Sequence, residues 1–137
     1  MERFGFLSKS FCIFVLSYFK TVKFMYKEEL KKILLICDEV NEFLEKILKE
    51  DDLSQCNKYL FSALVYSDDV KVFIYEHYYF FDRMHFIDGL IDDLGLFQGD
   101  NYIGNIKSIS QACISQLSGV KSELVKSELL HDELNKC

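Results

Sequence analysis

Apolar positions recur in steps of three and four along most of this chain. In "YKEELKKILLICDEVNEFLEKILKED", residues 26–51, they fall at Leu30, Ile33, Leu34, Cys37, Val40, Leu44, Ile47 and Leu48. Such steps keep one face of an α-helix apolar. Glu28 and Glu29 come early and lysines come late, which suits the helix dipole. "EDDLSQCNKYLFSALVY" predicts a second helix, capped by Asp51 or Asp52. Its stripe is Leu53, Cys56, Leu60, Ala63 and Leu64. "SDD" at 67–69 predicts a break and a new cap, with Asp69 in the first turn of a third helix running to about Leu94. That helix opens on "VKVFIY", which alternates as a strand would, but no partner strand is evident elsewhere. "LGLFQGDNYIGN", residues 94–105, holds three glycines and predicts the main loop. In the last helix Ile106, Ile109, Cys113, Leu117, Val120 and Leu124 form a near-heptad seam. Gly119 either weakens that helix by about 1 kcal/mol relative to alanine or lets another helix come close.

The expected fold class is therefore all-α, an antiparallel four-helix bundle over residues 25–137. Residues 1–24 are the uncertain part. The apolar run from Phe11 to Phe19 is nine residues long and includes Ser17, whereas a spanning helix needs about 20. Lys20-Thr21-Val22-Lys23 supplies no small-residue cleavage site of the kind that ends a signal peptide. Three readings stay open. Residues 4–24 form an interfacial helix, with Lys9, Lys20 and Lys23 near lipid headgroups. Or the segment is an additional helix packed on the bundle. Or it is a mis-assigned extension ahead of a start at Met25.

Composition narrows the function classes. The chain has 137 residues, half of them apolar and 28% charged, and no proline. That fits one domain of long uninterrupted helices. Arg3, Lys9, Lys20 and Lys23 against Glu2 give +3 over residues 1–25, which leaves −9 for the rest of a chain whose formal charge is −6. An acidic body repels phosphate backbones, so nucleic acid is a disfavoured partner. The five cysteines include no C-x-x-C pair. An odd, scattered set suits neither a disulfide framework nor a zinc site, and a reducing, cytoplasmic compartment is expected.

Chemistry is most suggestive in "IYEHYYFFDRMHFID", residues 74–88, with its two histidines, six aromatic rings and three acids. At 100° per residue along one helix, His77 joins Val70, Phe73, Phe80, Phe81, Met84, Ile87, Ile91 and Leu94 on one side. Asp82, His85 and Asp92 fall on the other. Asp82-x-x-His85 and Glu128-x-x-His131 share the carboxylate-x-x-histidine spacing of helical di-metal sites. Asp82 and His85 point away from the apolar stripe, so a solvated face with helical charge pairs is the simpler reading. His77 is expected to be a core histidine, hydrogen-bonded to a group such as a tyrosine hydroxyl. No G-x-S-x-G, P-loop or H-E-x-x-H motif occurs. "GLFQGDNYIGN" lacks dinucleotide-fingerprint spacing. Asp88, Asp92, Asp93 and Asp100 lack calcium-loop spacing. No catalytic residue, metal or cofactor is expected.

What is left over is aromatic area. Tyr75, Tyr78, Tyr79 and Phe86 lie off the buried stripe. Tyrosine brings contact area with a polar handle and is enriched at interfaces. These four are the expected partner-binding residues, against central burial as the ordinary alternative. "EELKKILLICDEVNEFLEKI" is loosely similar to the first helices of flagellin-type export chaperones. The last helix, after a glycine loop with "GD", is faintly similar to a sporulation accessory membrane protein. Neither likeness has a motif that transfers residues. The expected function is a non-catalytic protein-interaction module, an adaptor, chaperone or regulatory subunit. A peripheral membrane protein held by residues 4–24 is the alternative. A metal enzyme using Asp82, His85, Glu128 and His131 is third.

Overall fold

The structure is a computed structural model that describes the backbone of residues 2–81 and 85–134 and the side chains of 25–81 and 86–133. Four α-helices occur in this span: α1 (Glu2–Lys49), α2 (Leu53–Glu76), α3 (His85–Leu96) and α4 (Ile103–Leu134), with a 3-10 turn at Tyr78–Phe80. No strand occurs among the described residues. α1 packs on α2 and α4, and α3 bridges α2 and α4. The four thus enclose one core.

The core is built from seams of strict three-and-four spacing. On α1 it runs through Tyr26, Leu30, Ile33, Cys37, Val40, Leu44 and Ile47. On α2 it runs through Cys56, Leu60, Ala63, Ser67, Val70 and Ile74. On α4 it runs through Ile106, Ser110, Cys113, Leu117, Val120, Leu124, Ser127 and His131. All are buried, as repeated a and d positions of facing helices should be. Tyr26 meets Ser127, Asp38 meets Lys121, and the last carbonyls of α1 meet Lys107.

Three boundaries differ from the sequence reading. The chain does not break at Ser67-Asp68-Asp69. Ser67 takes a core position with the seam in phase on both sides, while Asp68 and Asp69 face solvent. A cap residue ends nothing when neither glycine, proline nor a phase shift accompanies it. The break comes instead at His77, where α2 ends and the 3-10 turn redirects the chain through an extended Phe81. Five consecutive rings from His77 to Phe81 lower helix propensity there. Lastly, α1 is continuous from Glu2 to Lys49, so the N-terminal segment prolongs the first helix and is not a separate one.

The junction between α1 and α2 is only three residues long and is closely capped. Asp52 accepts from the Ser54 amide at 3.0 Å, the second of the two caps considered. Lys107, on α4, donates to the carbonyls of Ile47 and Leu48 at 3.0 Å each. It thereby joins the Glu50 amide, which donates to the same Ile47 carbonyl at 3.3 Å, and places a cation at a helix C-terminus. Lys107→Met is expected to lower the unfolding free energy in urea by about 1–2 kcal/mol. A change within error would show that water replaces the ammonium at no cost.

Candidate docking surface

The predicted chemistry-bearing residues separate when placed in the fold. At the end of the bundle, Tyr26 is the hub of a ring cluster. His131 stacks on it at 4.3 Å and 5°. Phe80 and His77 meet it edge-on at 5.5 and 5.0 Å, and Phe73 lies at 5.5 Å. The Ser127 hydroxyl donates to the Leu124 carbonyl at 2.6 Å, so at the 2.5 Å Tyr26–Ser127 contact the tyrosine is the donor.

His77 does pack on this apolar cluster, but its polar partner is not a tyrosine. Its Nε2 lies 3.3 Å from the carboxylate of Glu29 on α1. His131, read from sequence only as part of a ligand spacing, is buried in the core. Its neighbour in that motif, Glu128, points to Lys27 at 3.9 Å. Asp82 and the side chain of His85 lie outside the described residues. Among the described residues no group of three or more His, Cys, Asp or Glu side chains could hold a metal ion.

Burial governs the titrating groups of the core. It pushes the Tyr26 phenol from 10.0 up to about 12. It pushes the thiols of Cys37 and Cys113 from 9.0 up to about 12, and Cys56 upward as well. The folded chain therefore keeps protons that the unfolded chain releases. Stability is level below the unfolded thiol value and declines as pH rises from about 9 toward 12. Urea midpoints across that range check the sign. A midpoint that rose with pH would contradict the buried placement.

The four expected partner-binding residues do not share one face. Tyr75 ends α2 with its ring exposed, while its hydroxyl donates to Asp88 at 2.7 and 2.9 Å, across to α3. That bond to a carboxylate pushes its phenol upward. Tyr78 and Tyr79 lie on the 3-10 turn with ring centroids 4.1 Å apart, and Tyr79 is 75% exposed. Phe86 is half-buried on α3 and packs against the core. Its ring covers Gly119 so closely that a Cβ there would sit 2.8 Å from Phe86 Cδ1. Close helix approach, the second reading of Gly119, is thus its role.

Apart from Tyr75, sequence reasoning missed an exposed apolar stripe on α2. Phe61, Val65, Val72 and Tyr75 are 55%, 45%, 49% and 45% exposed. With Asp68 they step by four, three, four and three, on the side of α2 opposite its buried seam. Beside this stripe runs a shallow groove between α1 and α2. Its floor is Ile36, Val72 and Phe73, and its rim carries Glu29, Asp69 and Glu76 with Lys32. The same three-and-four periodicity that reveals the core would have revealed this second stripe, had α2 been read as one helix through Glu76.

No protein-family model matches the chain, and no curated protein or solved structure matches it at a significant level. No described helix is long and apolar enough to cross a membrane.

Proposed function

We propose that this chain is a non-catalytic interaction module, an adaptor, chaperone or regulatory subunit built as an antiparallel four-helix bundle. It takes a partner helix along the outer face of α2. The observation that supports this reading is the double pattern on α2. One regular stripe is buried, and a second, opposite one is left uncovered. A helix apolar on two sides needs a second neighbour. An amphipathic helix laid in a groove reads such a stripe through anchors at i, i+4 and i+7. Tyr75 ends this stripe, Tyr78 and Tyr79 are exposed on the turn that follows α2, and Phe86 packs over Gly119 of α4. The unpaired buried thiols Cys37, Cys56 and Cys113 suit a reducing compartment.

Phe61→Ser/Val72→Ser tests the reading. Both side chains are half exposed, so the double variant is expected to keep its helicity and urea midpoint. Proteins recovered with the wild type from its native cell are expected to be lost, with affinity down at least about tenfold. Undiminished recovery by a folded double variant would remove α2 as the docking face.

A further inference from the structure

The outer face of α2 is apolar along its middle and charged along its edges. Toward α3 the charge is already matched. Lys71 lies 4.0 Å from Asp88, and the Tyr75 hydroxyl donates to the same carboxylate at 2.7 Å. Toward α1 it is not. There Glu29, Asp69 and Glu76 rim the groove against one ammonium, Lys32. Glu29 meets His77 at 3.3 Å, but among the described residues Asp68, Asp69 and Glu76 have no ion-pair partner. Asp69 and Glu76 stand two turns apart on one flank, about 10 Å along the helix. Glu76 is also the last residue of α2, and that last turn holds no basic side chain. A carboxylate there adds to the negative end of the helix dipole. A cation supplied from outside would offset both.

We infer that the occupant of the α2 face is an amphipathic helix of another protein with a cationic flank. Its apolar anchors lie on the stripe, and its arginines or lysines lie over the groove, near Asp69 and Glu76. This occupant deepens the proposed docking function and rests on it. The aliphatic stem of a long cationic side chain covers the groove floor of Ile36, Val72 and Phe73, while its head reaches the rim carboxylates. Arginine suits the rim best, because its planar fork matches carboxylate geometry. A second copy of this chain fits less well. Asp68 stands midway between Phe61 and Tyr75 and is exposed. Two α2 stripes laid together would bring their Asp68 carboxylates close at the centre, and like charges there repel.

Fluorescence anisotropy of the full chain with synthetic peptides tests this. Each peptide is a helix of about five turns with leucines in steps of three and four. One carries arginines two turns apart along both flanks, one carries glutamines there and one glutamates. The arginine peptide is expected to bind at least about tenfold more tightly than the glutamate peptide, with the glutamine peptide between. Raised salt is expected to narrow the spread. Asp69→Lys/Glu76→Lys is expected to reverse the order. Glu42→Lys/Glu45→Lys, at exposed α1 positions that do not line the groove, makes the same change in net charge and is expected to keep it. The inference is overturned if the first pair keeps the order or the second loses it. It is also overturned if the three peptides bind alike or none binds. Should sedimentation velocity show wild-type dimers that Val72→Asp dissociates, the face belongs to a second copy and the cationic occupant is overturned. None of these failures touches the loss of partners from the Phe61→Ser/Val72→Ser variant, and only failure of that loss removes the docking face itself. Circular dichroism verifies that each variant is folded. Should the lysine pair at 69 and 76 not fold, Asp69→Asn/Glu76→Gln is expected to level the order, and an unchanged order in it overturns the inference.

Discussion

Tyr26→Ala is expected to cost the bundle about 3–5 kcal/mol, the range for truncating a buried aromatic ring. The ring touches α2 through Phe73 and His77, the 3-10 turn through Phe80, and α4 through His131 and Ser127. Its removal leaves a cavity that three separate segments would have to move to fill, so little relaxation offsets the loss. Tyr26→Phe separates ring from hydroxyl. Ser127 keeps its bond to the Leu124 carbonyl, so the phenylalanine variant is expected to lose only about 1 kcal/mol. Urea denaturation measures both. An alanine variant within about 1 kcal/mol of wild type would show that this end of the bundle closes without its hub.

The second large effect is at Gly119. In an ordinary helix interior, alanine would gain about 1 kcal/mol over glycine. Here its Cβ would lie 2.8 Å from Phe86 Cδ1 and 2.9 Å from Cε1. The ring must shift, and α3 with it. Overpacking of this kind costs about 1–3 kcal/mol and exceeds the propensity gain. Gly119→Ala is therefore expected to be destabilising in the wild type and stabilising in a Phe86→Leu background. That change of sign is a coupling between the two sites, read from a double-mutant cycle. Additive effects would mean that the ring does not occupy the space above Gly119.

The seams of α1 and α4 could be read from sequence because their apolar residues are continuous in type. Leu30, Ile33, Cys37, Val40, Leu44 and Ile47 were assigned to one face and are buried together. Apolar periodicity traces the α4 seam from Ile106 to Leu124, though through the partly buried Ile109 and not the buried Ser110, and beyond it apolar residues give way to Ser127 and His131. Both keep the phase and are buried. Polarity hid them, because a hydroxyl or imidazole in a seam looks like a solvated residue until its partner is known. Tyr26, the partner of both, lies some hundred residues away. A single helical rotation does not run through residues 67–94, because α2 ends at His77 and a 3-10 turn follows. Beyond a 3-10 turn and an extended residue the rotation is no longer 100° per residue. Tyr78, Tyr79 and Phe86 therefore could not be placed on a common face with Tyr75. Dividing α2 at Asp69 also split the outer stripe, leaving Phe61 and Val65 in one piece and Val72 and Tyr75 in another.

The burial of Cys37, Cys56 and Cys113 on three different helices has a kinetic consequence. Each is fully enclosed and held as the unreactive thiol by burial. A thiol reagent can attack only when the surrounding helix opens. Labelling rates at the three positions therefore report the opening free energies of α1, α2 and α4 separately, in the native chain and without an added probe. Three equal rates would mean that the bundle opens as one cooperative unit. A faster rate at any one of them would identify the helix that detaches first.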